Sequence, residues 1–145
     1  MFTDLLRRLT APEPAPLPEL DCRIALGALL VRIARTDGDY AASEIKQIDQ
    51  ALMARYGLSV DEAAQLRAEC EALEAEAPDT VRFTRALKDT VPYEERVSVI
   101  EALWSVVLAD GVRDDEEDSM MRMTASLLGV SDQDSHRARI KVAKA

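Results

Sequence analysis

Two acidic turns carry residue types at a spacing that suits cation chemistry. Asp37-Gly38 is followed by Glu44, and Asp110-Gly111 by Glu117. Each Asp and its Glu are seven residues apart, and the two sets are separated by 73 residues. Carboxylate oxygens are hard donors, so four of them brought together suit a divalent cation such as Ca²⁺ or Mg²⁺. Without a cation between them they repel. Asp39 and Asp114 are placed to add oxygen ligands or to hold ordered water.

Neither turn is a complete calcium loop. An EF-hand loop has its invariant Gly at the sixth place and a bidentate Glu at the twelfth. Counted that way, the first and third ligand places fall on Ile33 and Arg35 in one copy, and on Val106 and Leu108 in the other. Those side chains cannot ligate calcium. A site therefore needs both copies, facing each other across a pseudo-twofold axis that passes near the turns. Capping is the alternative. Asp before Gly is a common helix stop, and a Glu in a helix's first turn favours the positive end of its dipole by about 0.3–1 kcal/mol. Asp114 and Glu117 by themselves make a capping box. Arg32, Arg35 or Lys88 would then neutralise the acids in place of a metal. The residues alone leave both possibilities open.

The elements that must position these turns read as helices throughout. Glycine (5 residues) and aromatics (4%) are scarce, while Ala, Leu, Glu and Arg abound, which favours helix over sheet. A first long helix is predicted from Glu19 to about Asp37, apolar all round between Ile24 and Ala34 except at Arg32, the pattern of a buried helix. A second runs from Glu44 to Tyr56, with Ile45, Ile48, Leu52 and Met53 on one face. Ser59 and Glu62 form a capping box for a third, kept wet by Glu69, Glu71, Glu74 and Glu76 and ending near Ala77. A short helix follows over 80–88. Pro92 is expected as the first residue of another apolar helix that reaches Asp110 and carries Trp104. Two more are predicted, over 115–128 and after the cap Ser131. Gly57-Leu58-Ser59 and Gly129-Val130-Ser131 repeat one helix junction 72 residues apart. The chain is thus read as all-α, a single helical domain of about six to eight helices with an internal pseudo-twofold duplication over residues 19–145. Before it, residues 1–18 form an amphipathic start (Phe2, Leu5, Leu6, Leu9) and a linker with Pro at 12, 14, 16 and 18.

Composition excludes several functions. A net charge of −9 argues against nucleic acid and against attraction to anionic lipid, both of which need clustered basic residues. Cys22 and Cys70 form no C-x-x-C pair, which leaves them as small apolar fillers. No signal peptide or membrane-spanning run is seen, so a cytoplasmic protein is expected. No nucleophile motif or phosphate-cradling loop appears, and the single histidine, His136, falls on an exposed terminal helix, so no enzymatic activity is expected. The main competitor is a helical interaction module, with Trp104, Met120, Met121 and Met123 lining a groove for a partner helix.

The doubled pattern resembles the TerB tellurite-resistance family and the TerB-like segment of DjlA-type membrane co-chaperones. The matching segments are Leu29 to Gly38 through Glu44, and Ala102 to Gly111 through Glu117, within a region from Arg23 to Val130. The resemblance implies an all-helical fold with two similar halves and a role in resistance to tellurite and other chemical stress. It further implies protein partners in metal-linked complexes near the membrane, which places the chain in the cytoplasm or peripherally at the inner membrane. It implies divalent-metal binding at the acidic turns, carried here by Asp37, Glu44, Asp110 and Glu117.

Overall fold

The protein is described from a computed structural model, over residues 5–7, 19–36, 40–76, 80–109 and 115–144. Of these, the side chains of residues 19–20, 80–83, 86 and 115–117 are not described. Among the described residues every regular element is a helix: a turn at residues 5–7, then α1 (Glu19–Ala34), α2 (Ala42–Tyr56), α3 (Val60–Glu76), α4 (Thr80–Thr90), α5 (Tyr93–Val107), α6 (Asp115–Leu127) and α7 (Asp132–Lys144).

The apolar run in α1 makes it the central helix. Ile24, Leu26, Leu29, Leu30, Val31 and Ile33 are all buried, and α1 packs against α2, α3, α4, α5 and α6. Its closest neighbour is α3, which it approaches at Gly27; no side chain keeps the helices apart there. In α3, Ala63, Leu66, Cys70 and Leu73 form the buried stripe expected of a half-wet helix. The buried helix α5, with Val99, Ile100, Leu103, Val106 and Val107, packs mainly on α7. Leu5 is buried with the core and Leu6 is half-buried against it, so the turn at residues 5–7 docks on the domain.

Helix junctions follow the sequence signals closely. Gly57 and Gly129 both adopt left-handed conformations, φ 65° and 72°, where a side chain would be strained. The N–H groups of Leu58 and Val130 then bond back to the carbonyls of Met53 and Ala125. The Ser59–Glu62 capping box is formed in both directions, at 2.9 and 3.2 Å. Ser131 Oγ accepts the Asp134 N–H at 3.1 Å.

Three boundaries differ from expectation. Pro92 is the N-cap rather than the first helical residue, because its ψ of 159° is extended. Both buried helices end three residues before their Asp-Gly pairs, at Ala34 and Val107. In each, an N–H bonds three residues back, Thr36 to Ile33 and Ala109 to Val106, and this tighter turn closes the helix early.

Candidate metal centre

Glu44 is the predicted ligand whose side chain falls among the described residues. Asp37 and Asp110 lie outside them, as do Asp39 and Asp114. Glu117 stands in the first turn of α6, but its side chain is also outside the described set.

Glu44 is the third residue of α2 and is only 1% exposed. It occupies the face that continues through Ile48 and Leu52, where a core helix would ordinarily place an apolar residue. Its Oε1 accepts the Ala41 N–H at 3.2 Å, and its own N–H bonds to the Ala41 carbonyl at 3.1 Å. This is half of a capping box, since Ala41 has no side-chain acceptor. Glu62 does the same work at the start of α3 while fully exposed, its carboxyl held below the usual range by the Ser59 backbone N–H and hydroxyl. Capping therefore accounts for the Ala41 bond but not for the burial of Glu44, which is costly for a carboxylate.

The register of α2 on α5 brings the start of α2 beside the end of α5. The two helices run antiparallel: Arg55 Nη1 donates to Ser98 Oγ at 2.9 Å near one end, and Gln47 shares a cleft with Ser105, Leu108 and Ala109 near the other. The start of α2 is thus level with the end of α5, and Ala109 immediately precedes Asp110.

The cations considered as neutralising partners for the acids make the following contacts among the described residues. Arg32 and Arg35 both reach Glu74 of α3, at 3.4 and 3.7 Å. The Lys88 side chain lies beside Gly129, at the far end of α6. Glu74 and Glu71, read from sequence as wet positions, are half-buried and paired, whereas Glu69 and Glu76 are exposed as expected. The pairing of Glu74 had no local signal, because Arg32 and Arg35 lie 42 and 39 positions away, whereas Glu71 pairs with Arg67 one turn before it.

The other singled-out residues are dispersed. His136 is exposed. Trp104 and Met121 are core residues, Met120 is half-buried, and Met123 is 42% exposed. Cys22 and Cys70 are not joined in a disulfide, and burial pushes the Cys70 thiol up to about 12. Sequence reading missed a cleft of about 700 Å³ at the end of the domain away from Glu44, lined by Arg23, Arg55, Tyr56 and Thr90 among others. There Arg23 stacks on Tyr56 at 4.5 Å. Among the described residues no three His, Cys, Asp or Glu form a metal-holding group, and no helix is long and apolar enough to cross a membrane.

An all-helical domain built on two buried helices, each leading to an Asp-Gly pair, is the class these features define. The family profile described as Tellurite resistance protein TerB matches residues 23–140, and the chain belongs to that family. No curated protein and no solved structure matches it significantly.

Proposed function

We propose that this chain is a divalent-cation-binding protein of the tellurite and chemical stress response, acting by binding rather than catalysis. The observation that carries the proposal is the burial of Glu44 at the end of the domain where α2 begins and α5 ends. A carboxylate there, with Asp37 seven residues before it and Asp110 next in the chain after the end of α5, fits a hard cation on donor chemistry. Asp37, Glu44, Asp110 and Glu117 would hold it. Bound there, the cation supplies the positive charge that lets the acids share one small volume. Family membership supports the stress role, and with it a protein partner and a cytoplasmic site at or near the inner membrane.

The test is thermal unfolding with Ca²⁺, Mg²⁺ or chelator. A cation that binds only the folded state raises the midpoint. Asp37→Asn combined with Asp110→Asn should abolish that rise and leave helicity unchanged. An interaction module whose acids only cap helices, a reading the Ala41–Glu44 bond favours, would melt at one temperature in all three conditions. A cation response that survives the double substitution would overturn the assignment of the site.

A further inference from the structure

Four helices, α1, α2, α4 and α5, border the cleft at the end of the domain away from Glu44. Arg23 of α1 lies over the ring of Tyr56 at the end of α2, with its guanidinium 4.5 Å from the ring centre. Arg55, next to Tyr56 in the chain, has its guanidinium 6.0 Å from the same centre. Two cationic groups are thereby gathered about one ring. A cation in the last turn of a helix complements the helix dipole. Arg55 does more than that, because its side chain crosses to α5, where Nη1 donates to Ser98 Oγ at 2.9 Å.

The charge of Arg55 is not cancelled by a neighbour. Arg32 and Arg35 meet Glu74, Arg67 meets Asp49 and Glu71, and Arg137 meets Asp134. Arg55 meets a neutral hydroxyl, and it forms no ion pair among the described residues. Glu95 lines the same cleft, but it is exposed and also forms no ion pair among the described residues. The lining thus sets two guanidiniums against one carboxylate, in a chain whose acids outnumber its Lys and Arg by 27 to 18. A guanidinium offers five N–H donors in a planar fork that matches an oxyanion. Ser98 takes one of those from Arg55 and keeps its own hydroxyl proton to donate. The cleft is not a by-product of the repeated helix pattern, since the positions 72 residues on from Arg55 and Tyr56 are Leu127 and Leu128.

We infer that this cleft binds a small molecule carrying a phosphate group, with Arg55 and Arg23 holding the phosphate and Ser98 donating to it. Two positive charges favour a phosphate dianion over a single carboxylate. The volume of about 700 Å³ is that of a small-molecule site and exceeds what one oxyanion fills. Leu26 and Val91, both buried, give the rest of the molecule an apolar floor. The site shares no residue with the proposed cation site and stands or falls without it.

The experiment follows the full chain by proton–nitrogen NMR while inorganic phosphate, phenyl phosphate or acetate is added at constant ionic strength. Both phosphates should give saturable shifts at the Arg55 Nε–H and the Ser98 amide, phenyl phosphate at lower concentration, with acetate the weakest. Arg55→Gln should weaken phenyl phosphate binding by about 10-fold or more, the loss expected for hydrogen bonds to a charged group. Ser98→Ala should weaken it less. Glu95→Gln removes a nearby negative charge and should tighten binding, a gain that disturbed packing does not produce. Ser98 and Glu95 are exposed, so their variants keep the test open if Arg55→Gln unfolds the domain. Arg137→Gln, on the exposed face of α7, should bind like the parent. A parent chain that shows no saturable shift with either phosphate would overturn the site. So would parent-like affinity in both Ser98→Ala and Glu95→Gln, or a loss in Arg137→Gln as large as that in Arg55→Gln. Phenyl phosphate binding no tighter than inorganic phosphate would overturn the small-molecule ligand.

Discussion

The sulfur of Cys70 on α3 fills the place that a side chain on Gly27 of α1 would need: a β-carbon at position 27 would overlap it. Both residues are buried, so neither can move aside into solvent. In an open helix Gly→Ala is favourable by about 1 kcal/mol. Here overpacking costs about 1–3 kcal/mol, because the Cys70 Sγ would have to turn away within the core while its Cβ stays 3.2 Å from the new β-carbon. Gly27→Ala should therefore lower the urea midpoint, whereas Gly27→Ala with Cys70→Ala should recover it. A stabilised single variant would mean that α1 and α3 lie farther apart.

Alkaline pH should weaken the fold through the same cysteine. Burial pushes its thiol up to about 12, against about 8.5 for a free thiol. Burial likewise raises the Tyr56 phenol. As pH rises past the ordinary thiol value the unfolded chain releases its proton first, so it binds fewer protons than the folded chain and stability falls. The slope is about 1.4 kcal/mol per pH unit for each such group. Below that window the contribution is complete and constant. Urea midpoints should be flat to about pH 8 and then decline. The decline should be shallower in Cys70→Ala, and an identical slope in that variant would remove Cys70 as its source.

How far these features could be read in advance depended on whether their causes were local. Gly57, Gly129, the Ser59–Glu62 box and the Ser131 cap each act within about one helical turn, and all appear where the sequence placed them. The burial of α1 was equally legible, because an uninterrupted apolar run leaves no wet face. Glu74 was not. Its place on a glutamate-rich helix suggested solvent, and only the packing of α3 on α1 brings it to Arg32 and Arg35. Glu44 was singled out by spacing, but its burial is a matter of tertiary packing, which no local pattern encodes. The remaining predicted ligands, Asp37, Asp110 and Glu117, fall outside the described side chains.

The indole of Trp104 donates to Ser135 Oγ at 3.2 Å within the contact between α5 and α7. Ser135→Ala strands that N–H in a buried site, a loss of about 1–3 kcal/mol. The unfolding midpoint should fall, and because Trp104 is the chain's one tryptophan, emission should report the altered site directly. Met123→Ala, at an exposed position, should change stability by less than about 0.5 kcal/mol. A larger loss at Met123 than at Ser135 would place the α5–α7 packing differently.

Glu44 separates capping from cation binding when two substitutions are compared. Glu44→Gln preserves shape and an oxygen for the Ala41 N–H, so the cap survives; only the charge is lost. Glu44→Ala removes both, and loss of a cap bond costs about 0.5–2 kcal/mol. If the buried charge is there for a cation, removing it relieves repulsion in chelated protein, and Glu44→Gln should melt at or above the parent temperature. The same variant should lose most of the rise that Ca²⁺ produces in the parent, because a neutral amide oxygen is a poorer ligand for a hard cation. If Glu44 serves only as a cap, Glu44→Gln should match the parent, Glu44→Ala should be weaker, and Ca²⁺ should move none of the three. Thermal melts of the three chains, each with Ca²⁺ and with chelator, distinguish the two outcomes, since only cation binding makes the effect of Glu44→Gln depend on Ca²⁺.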